Sequence, residues 1–545
     1  MEEAVFKPYD AQRSVCIAPD RLAEAIVCVH AALAACTPVD EQLMSDIHGD
    51  SMAFDHLVRS ASGQVRRFVE QALGEGFSSE ELDCVCTLLY YPEFAYEDEW
   101  ERACEGLDVD DLVDLAEDVR QRCTGAFHLI GDIWDRGPRG DEVMATLIST
   151  PRVDVQWGNH DVCWMGAAAG DPVCIATLLR NNIKYMNVEQ FEEGYDIDLE
   201  PLFTFAEDTY TDDGSLTPCL KAMNAILFKC EGQAVRRHPE WHMDERLLWA
   251  AMDLEAGQVR IGDALYPLKT RDFPTFDAAD PFALTAREQE VLDGLVDAFL
   301  SSERLQSQVQ WLYDHGSVYK VDGDLLLFHG CVPMNEDGTF AQVDCGFGVA
   351  RSGRLLLDWV DALCRRAWEE RRQTDLDWMG YLWCGWQSTF AGRVVKTFER
   401  TYLEDKSTWT EPEDPYYALT REDAHAAQSV LAEFGVDPVH GRIVNGHTPV
   451  KLPKGESPVR ADGHRLVIDG GLCQAYRKTT GIAGYTLVRK GDELTLVSHA
   501  DFPGLDAVRT SCVDMGHTAQ ALEAPGNGQT HTRGRPSLRV SQGWV

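Results

Sequence analysis

Five short apolar runs, each ending in polar residues set beside glycine, constrain this chain more than any other feature. They are AFHLIGD at 126–132, VDVQWGNHD at 153–161, DLLLFHG at 324–330, GRIVNGH at 441–447 and HRLVIDGG at 464–471. A run of that length bounded by glycine reads as a buried strand emptying into a loop. SDIHGD at 45–50 has the same loop character, with a weaker strand signal because only Leu43 and Met44 precede it. In an α/β sandwich such strand ends are where chemistry is placed.

Between the runs, residues 101–122, 284–314 and 354–372 carry apolar positions three and four apart among charges, the pattern of amphipathic helices. The 545 residues are too many for one ordinary core. The expected division is an N-terminal helical segment over 1–42 and a core in two parts, 43–161 and 311–500. A largely helical insertion fills 162–310, and a smaller one lies near 354–440. GYTLVRKGDELTLVSH at 484–499 reads as two strands around a Lys-Gly-Asp turn. Past residue 503 the apolar pattern fades, so 501–545 is expected to be a disordered tail.

The polar strand ends supply the parts of a two-metal hydrolytic site. Such a site needs carboxylate, amide and imidazole donors, with one carboxylate bridging ions roughly 3.5–4 Å apart. It also needs an arginine for the phosphate and an acid for the leaving oxygen. In chain order the sequence offers Asp46-x-His48, Gly131-Asp132 followed by Asp135-Arg136-Gly137, Gly158-Asn159-His160-Asp161, His329-Gly330 and Gly446-His447. A lone Asp-x-His or Gly-His says almost nothing, because a capping Asp or a hydrogen-bonded core His is commoner. All five pieces in order are hard to obtain by chance.

The set SDIHGD, GDIWDRG, GNHD, HG and NGH resembles the calcineurin-like metallophosphoesterase superfamily. A closer resemblance, to the bacterial class III fructose-1,6-bisphosphatases, rests on segments the superfamily does not share. These are LLYYPE at 88–93, QWGNHDVCWMGA at 156–167, DFPTFDAADPF at 272–282, DHGSVY at 314–319, FHGCVPMNEDG at 328–338, YLWCGW at 381–386, TFERTYLEDK at 397–406, NGHTPV at 445–450 and IDGGLCQAYRKTTGIAGYTL at 468–487. The resemblance implies an α/β β-sandwich flanked by helices, with a large mainly helical insertion. It implies Asp46, His48 and Asp132 on one metal, and Asp132, Asn159, His329 and His447 on a second. His160 is then the general acid, oriented by Asp161 or another nearby carboxylate, and Arg136 clamps the transferring phosphoryl group. The implied ion is Mn2+, two per site. The implied reaction is attack by a metal-bridging hydroxide on the C1 phosphate of fructose 1,6-bisphosphate. Pro449 stands where the superfamily often has a second histidine, which suits the bisphosphatase and protein-phosphatase branches. Candidates for the second phosphate are Arg393, Lys396, Arg400, Arg477 and Lys478, with Arg236 and Arg237 weaker.

The formal net charge of -41 argues against nucleic acid or anionic membrane as partners, so cations must reverse the field locally if a phosphorylated substrate binds. The 17 cysteines include no C-x-x-C pair and read as buried reduced thiols. With an acidic start and no stretch apolar enough to span a bilayer, they predict a cytoplasmic protein. A homo-oligomer is compatible with the resemblance. DCGFGVARSG at 344–353 has Arg351 at the third glycine position, so it is no dinucleotide fingerprint. Two other readings stand beside the main one. A protein Ser/Thr phosphatase uses the same cage, but its third histidine lies much nearer the Asn-His motif than here, where His329 stands 169 positions after His160. A catalytically inactive scaffold keeps the fold but usually loses ligands.

Overall fold

The computed structural model describes residue 15 and residues 17–526. Its centre is a pair of mixed sheets. The larger is built from β1 (Glu41–Met44), β2 (Ala126–Leu129), β3 (Val153–Gln156) and β4 (Gly316–Ser317), all parallel to their neighbours. The smaller is built from β5 (Tyr319–Asp322), β6 (Leu325–Phe328), β7 (Arg442–Asn445), β8 (Val459–Arg460) and β9 (Arg465–Val467). Within it β6, β7 and β9 are parallel, and β5 and β8 close the edges antiparallel. The chain then returns to the larger sheet as β10 (Tyr485–Lys490), β11 (Glu493–His499) and β12 (His517–Ala521), giving the order β12-β11-β10-β1-β2-β3-β4. The turn between β10 and β11 contains Gly491 at φ 59°.

Strand periodicity sorts the apolar side chains into layers. Leu43, Leu325, Leu327, Val444, Leu466, Tyr485 and Leu487 form one cluster between the sheets. Their neighbours Met44, Leu326, Phe328 and Ile443 point the other way, into the larger cluster shared with the helices. This is the alternation that a pleated strand imposes. β1 is fully buried although it begins with Glu41 and Gln42. Glu41 meets His128 at 2.7 Å and Arg489 at 2.7 Å, and Gln42 Nε2 donates to the carbonyls of Ala61 and Cys123. Satisfied polar groups in a buried strand are why its hydrophobic signal is weak.

The region between β1 and β2 is helical rather than sandwich core. Helices Gln64–Leu73, Ser79–Tyr90 and Val109–Thr124, with Pro19–Leu33 from before β1, build a separate apolar cluster. Parallel neighbours need a crossover, and here the crossover carries its own small core. Residues 162–310 hold helices and a three-stranded ribbon over Met252–Asp253, Gln258–Ile261 and Ala264–Pro267.

The tail expected to be disordered from residue 501 is ordered through Gly526. Leu505–Ser511 is a helix, and β12 pairs with β11 from Thr495↔Ala521 to His499↔His517. Asp514 accepts from His56 Nε2 and Tyr90 Oη, both at 3.0 Å, tying this segment to the N-terminal helices. β12 is largely exposed and polar, so backbone pairing holds it in place, and apolar periodicity does not reveal it. The stretch from residue 527 lies outside the described residues.

Candidate active site

The parallel strands of both sheets end at the same place, and the expected donors follow them. Asp46 comes two residues after β1, Asp132 three after β2, Asn159 three after β3, His329 one after β6 and His447 two after β7. Asp46, His48, Asp132, Asp135, Arg136 and His447 all have positive φ, from 52° to 75°. Such sparsely populated conformations cost about 1–3 kcal/mol each and cluster at functional sites. Gly158 and Gly446 allow the close approach. A Cβ at the first would overlap the Asp132 carboxylate, and one at the second would overlap the Asp46 carboxylate.

Asp132 is the hub. Its Oδ1 accepts from the His160 backbone N–H at 3.0 Å, which leaves Oδ2 facing two imidazoles. His329 Nε2 lies 3.3 Å from that oxygen and His48 Nε2 3.7 Å. His48, Asp132 and His160 form one potential metal-binding triad, and Asp132, His329 and His447 form another, with ligand atoms of each within 4.8 Å of one another. Backbone carbonyls set the tautomers. His329 Nδ1 donates to Ile130 O at 2.9 Å and His48 Nδ1 to Trp134 O at 3.2 Å, so the Nε2 atoms of both point inward. The Nε2 atoms of His329 and His447 are buried with no hydrogen-bond partner. Asn159 Oδ1 lies 3.0 Å from His447 Nδ1, and the His447 backbone N–H donates to Asp46.

Electrostatics inside the cage are those of a cation site. Burial, then the neighbouring Asp469, pushes the Asp46 carboxyl well up. Asp469 itself rises to about 7, chiefly through burial. It lies two residues after β9, is 2 % exposed, and was not singled out from sequence although it stands in the run HRLVIDGG. Burial drives the His48 imidazole down to about 3 and lowers His447 as well, so both are neutral ligands. Burial opposes charge on His329, but Asp132 beside it outweighs that and raises it to about 10. A divalent cation entering there would displace that proton. Donor identity, inward Nε2 atoms and crowded carboxylates all fit metal ions.

His160 follows the cage on a helix spanning Asn159–Ala168. Its Nδ1 meets Asp135 Oδ2 at 2.6 Å, so Asp135 is the orienting carboxylate. Asp161, counted among the catalytic residues from sequence, spends both oxygens on the backbone N–H groups of Asp132, Ile133 and Gly158. It shapes the cage loops and does not reach the imidazole. The other oxygen of Asp135 accepts from Asn182 at 2.7 Å and Trp164 at 3.1 Å.

The cage opens into a cleft of about 440 Å³. Arg136 lines it, donating to the Tyr185 hydroxyl with its guanidinium carbon 5.1 Å from that ring's centroid. Of the five candidates for a second phosphate, Arg393, Lys396 and Arg400 line the cleft. Arg477 instead pairs with Asp50 at 3.2 Å and Asp501 at 3.4 Å, and Lys478 is exposed and off the cleft wall. Arg237 pairs with Asp377, and Arg236 lies at the surface. Sequence reading missed Arg180, Lys184 and Arg246, which line the cleft from the insertion.

A buried imidazole–carboxylate cage opening on a cation-lined cleft, in a chain this acidic, defines the class of metal-dependent phosphatases. Comparison with known proteins narrows it. A family model described as Firmicute fructose-1,6-bisphosphatase matches residues 19–105 and 104–530. "Fructose-1,6-bisphosphatase class 3" of Alkaliphilus metalliredigens (strain QYMF) is 35% identical over 89% of this chain and 87% of its own length. Its namesakes from Clostridium novyi (strain NT), 35% identical over 85% of this chain and 84% of their own, and Porphyromonas gingivalis (strain ATCC 33277), 34% identical over 85% of each, agree. No solved structure matches. The chain belongs to the class 3 fructose-1,6-bisphosphatase family.

Proposed function

We infer that the protein hydrolyses the C1 phosphate of fructose 1,6-bisphosphate, giving fructose 6-phosphate and inorganic phosphate, the phosphatase step of gluconeogenesis. The observation that carries this reading is the meeting, in one cleft, of two ligand triads sharing Asp132 with a wall of arginine and lysine. Asp46, His48 and Asp132 are suited to hold one ion, and Asp132, Asn159, His329 and His447 a second. Asp469 helps to crowd negative charge around the first. Two Mn2+ ions, when bound there, supply charge neutralisation and an acidified water. Mixed imidazole and oxygen donors suit Mn2+ better than Mg2+.

The chain's own residues do the rest. Arg136 grips the transferring phosphoryl oxygens with its planar fork. His160, kept protonated on Nδ1 by Asp135, gives a proton to the leaving sugar oxygen. Trp383 lies edge-on 4.7 Å from the His160 ring and shields that face from water. Among the described residues no helix is long and apolar enough to cross a membrane. The described cysteines are thiols without disulfides, which fits work in the cytoplasm.

The test is phosphate release by purified protein with Mn2+, on fructose 1,6-bisphosphate and on a phosphopeptide, beside an Asp132→Asn control. Turnover of the sugar that vanishes in the control supports cage and substrate together. Cleavage of the phosphopeptide alone would leave the cage and remove the sugar.

A further inference from the structure

Buried cations in the helical insertion come with carboxylates. Lys229 meets Glu288 at 2.7 Å, Lys221 meets Asp272 at 2.9 Å and Arg246 meets Glu231 at 2.6 Å. Arg180, on the helix Pro172–Tyr185, breaks this rule. It is 8 % exposed, and its guanidinium donates only to neutral oxygens: Asn224 Oδ1 at 3.1 Å, Asn181 Oδ1 at 2.9 Å and Thr401 Oγ1 at 2.9 Å. Among the described residues no carboxylate lies within ion-pair distance of it. Burying an unpaired charge is costly, so folds rarely do it without a counter-ion. Arg180 lines the cleft, where a counter-ion can arrive from solution.

Lys184 stands one turn further along the same helix, exposed and also without a carboxylate partner among the described residues. Its Nζ lies 5.8 Å from the centroid of the Tyr185 ring, the ring that Arg136 covers from 5.1 Å. The two charges are therefore no farther apart than those two distances laid end to end, within the reach of one small ligand. Burial, then Arg180, Arg136 and Arg400, holds the Lys184 ammonium below its usual range. Burial, with Arg136 and Arg246 adding repulsion, brings Arg180 down to about 10.

The candidates chosen from sequence are already neutralised. Lys396 meets Glu399 at 3.0 Å, Arg400 meets Glu411 at 3.0 Å and Arg393 lies 3.6 Å from Glu413. Lys451, unpaired among the described residues, also lines the cleft but stands four residues after His447, in the loop that carries a ligand. Arg136 belongs to the cage as well. That leaves Arg180 and Lys184, on a helix that carries no metal ligand, as the uncompensated charge of the cleft among the described residues.

We propose that Arg180 and Lys184 form the seat of the substrate's second phosphate, the one that is not cleaved, and so set the preference for bisphosphates over monophosphates. The proposal rests on the functional reading above. Neutral acceptors around Arg180 fix the guanidinium plane without spending its charge, so the fork is ordered before substrate arrives. Lys184, exposed on the next turn of the helix, closes from the solvent side.

The experiment compares wild type, Arg180→Gln and Lys184→Ala with Mn2+, measuring kcat and KM on fructose 1,6-bisphosphate and on nitrophenyl phosphate, which has no second phosphate. Metal content and thermal midpoint are recorded alongside. The expected result is a KM for the bisphosphate that rises about tenfold or more relative to that for nitrophenyl phosphate, the size of one lost charged hydrogen bond. Parallel losses on both substrates, in a wild-type background that cleaves the bisphosphate, overturn the seat alone. Lys184→Ala decides the matter if Arg180→Gln lowers the midpoint, because Lys184 is at the surface. A wild-type protein that cleaves nitrophenyl phosphate but not the bisphosphate overturns the functional reading and the seat with it.

Discussion

Replacing Asp135 by Asn separates proton delivery from metal binding. Three donors converge on this carboxylate: His160 Nδ1 at 2.6 Å, Asn182 Nδ2 at 2.7 Å and Trp164 Nε1 at 3.1 Å. An amide has one acceptor oxygen and offers a donor on its other side. If its oxygen serves Asn182 and Trp164, its NH2 faces His160 Nδ1 and forces the wrong tautomer. If its oxygen serves His160, the other two donors face hydrogen. Asn182 is not free to turn, because its Oδ1 already accepts from Gln190 at 2.7 Å. The first arrangement leaves fewer buried groups unsatisfied, so the tautomer is lost and with it the carboxylate that stabilises a charged imidazole. A hydrogen bond to a charged group is worth about 1.5–3 kcal/mol, and positioned acid catalysis about 10²–10⁴ in rate. The expected result is a kcat on fructose 1,6-bisphosphate lower by about 10²–10⁴, with metal content unchanged. On nitrophenyl phosphate, whose leaving oxygen needs no proton, the loss should be much smaller. Steady-state assays on both substrates, with metal quantified by elemental analysis, check this. Equal losses on the two substrates with metal retained would falsify the assignment of His160 as the acid.

Three more outcomes follow from the same coordinates. Gly158→Ala puts a methyl into the Asp132 carboxylate and backbone, so the purified variant should retain less than its full metal complement when assayed by elemental analysis. Asp514→Ala strips His56 and Tyr90 of their acceptor and should lower stability by about 3 kcal/mol, read as a shift in the denaturant midpoint. His128 lies between Glu41 at 2.7 Å and Asp154 at 2.8 Å, and although burial opposes its charge these carboxylates raise it from 6.5 to about 9. Its contribution is therefore full below about pH 6.5 and vanishes as pH climbs through about 9. Unfolding titrations should show roughly 3 kcal/mol of stability lost over that window, absent in His128→Gln.

Much of the cage was legible because each donor sits beside a glycine at the end of an apolar run, a local signal. Asp46, His48, Asp132, Asn159, His329 and His447 converge from five separate segments. What escaped is what only packing decides. Asp161 adjoins His160 in sequence while Asp135 lies 25 residues before it, and nothing local says that the distant carboxylate reaches the imidazole while the neighbouring one caps backbone. Arg477 and Lys478 precede a glycine-rich loop, the placement of a phosphate-binding pair, yet the fold turns Arg477 onto Asp50. Arg180 lies in a largely buried helix, where a guanidinium without a carboxylate is invisible until its neighbours are known. β12 escaped because edge pairing needs no hydrophobic pattern.

The middle position of β1 has a consequence in time. Its partner β10 is made more than 400 residues later, as the pairing Glu41↔Arg489 requires. At ordinary synthesis rates of about 5–20 residues per second the nascent chain waits on the order of tens of seconds before that strand finds its antiparallel neighbour. Until then a central strand has an open side, and the helices around Tyr90 lack Asp514. β1 and the helices that follow it are thus made early and are among the last to reach their native surroundings, and yield of folded protein should depend on how well that interval is protected from aggregation.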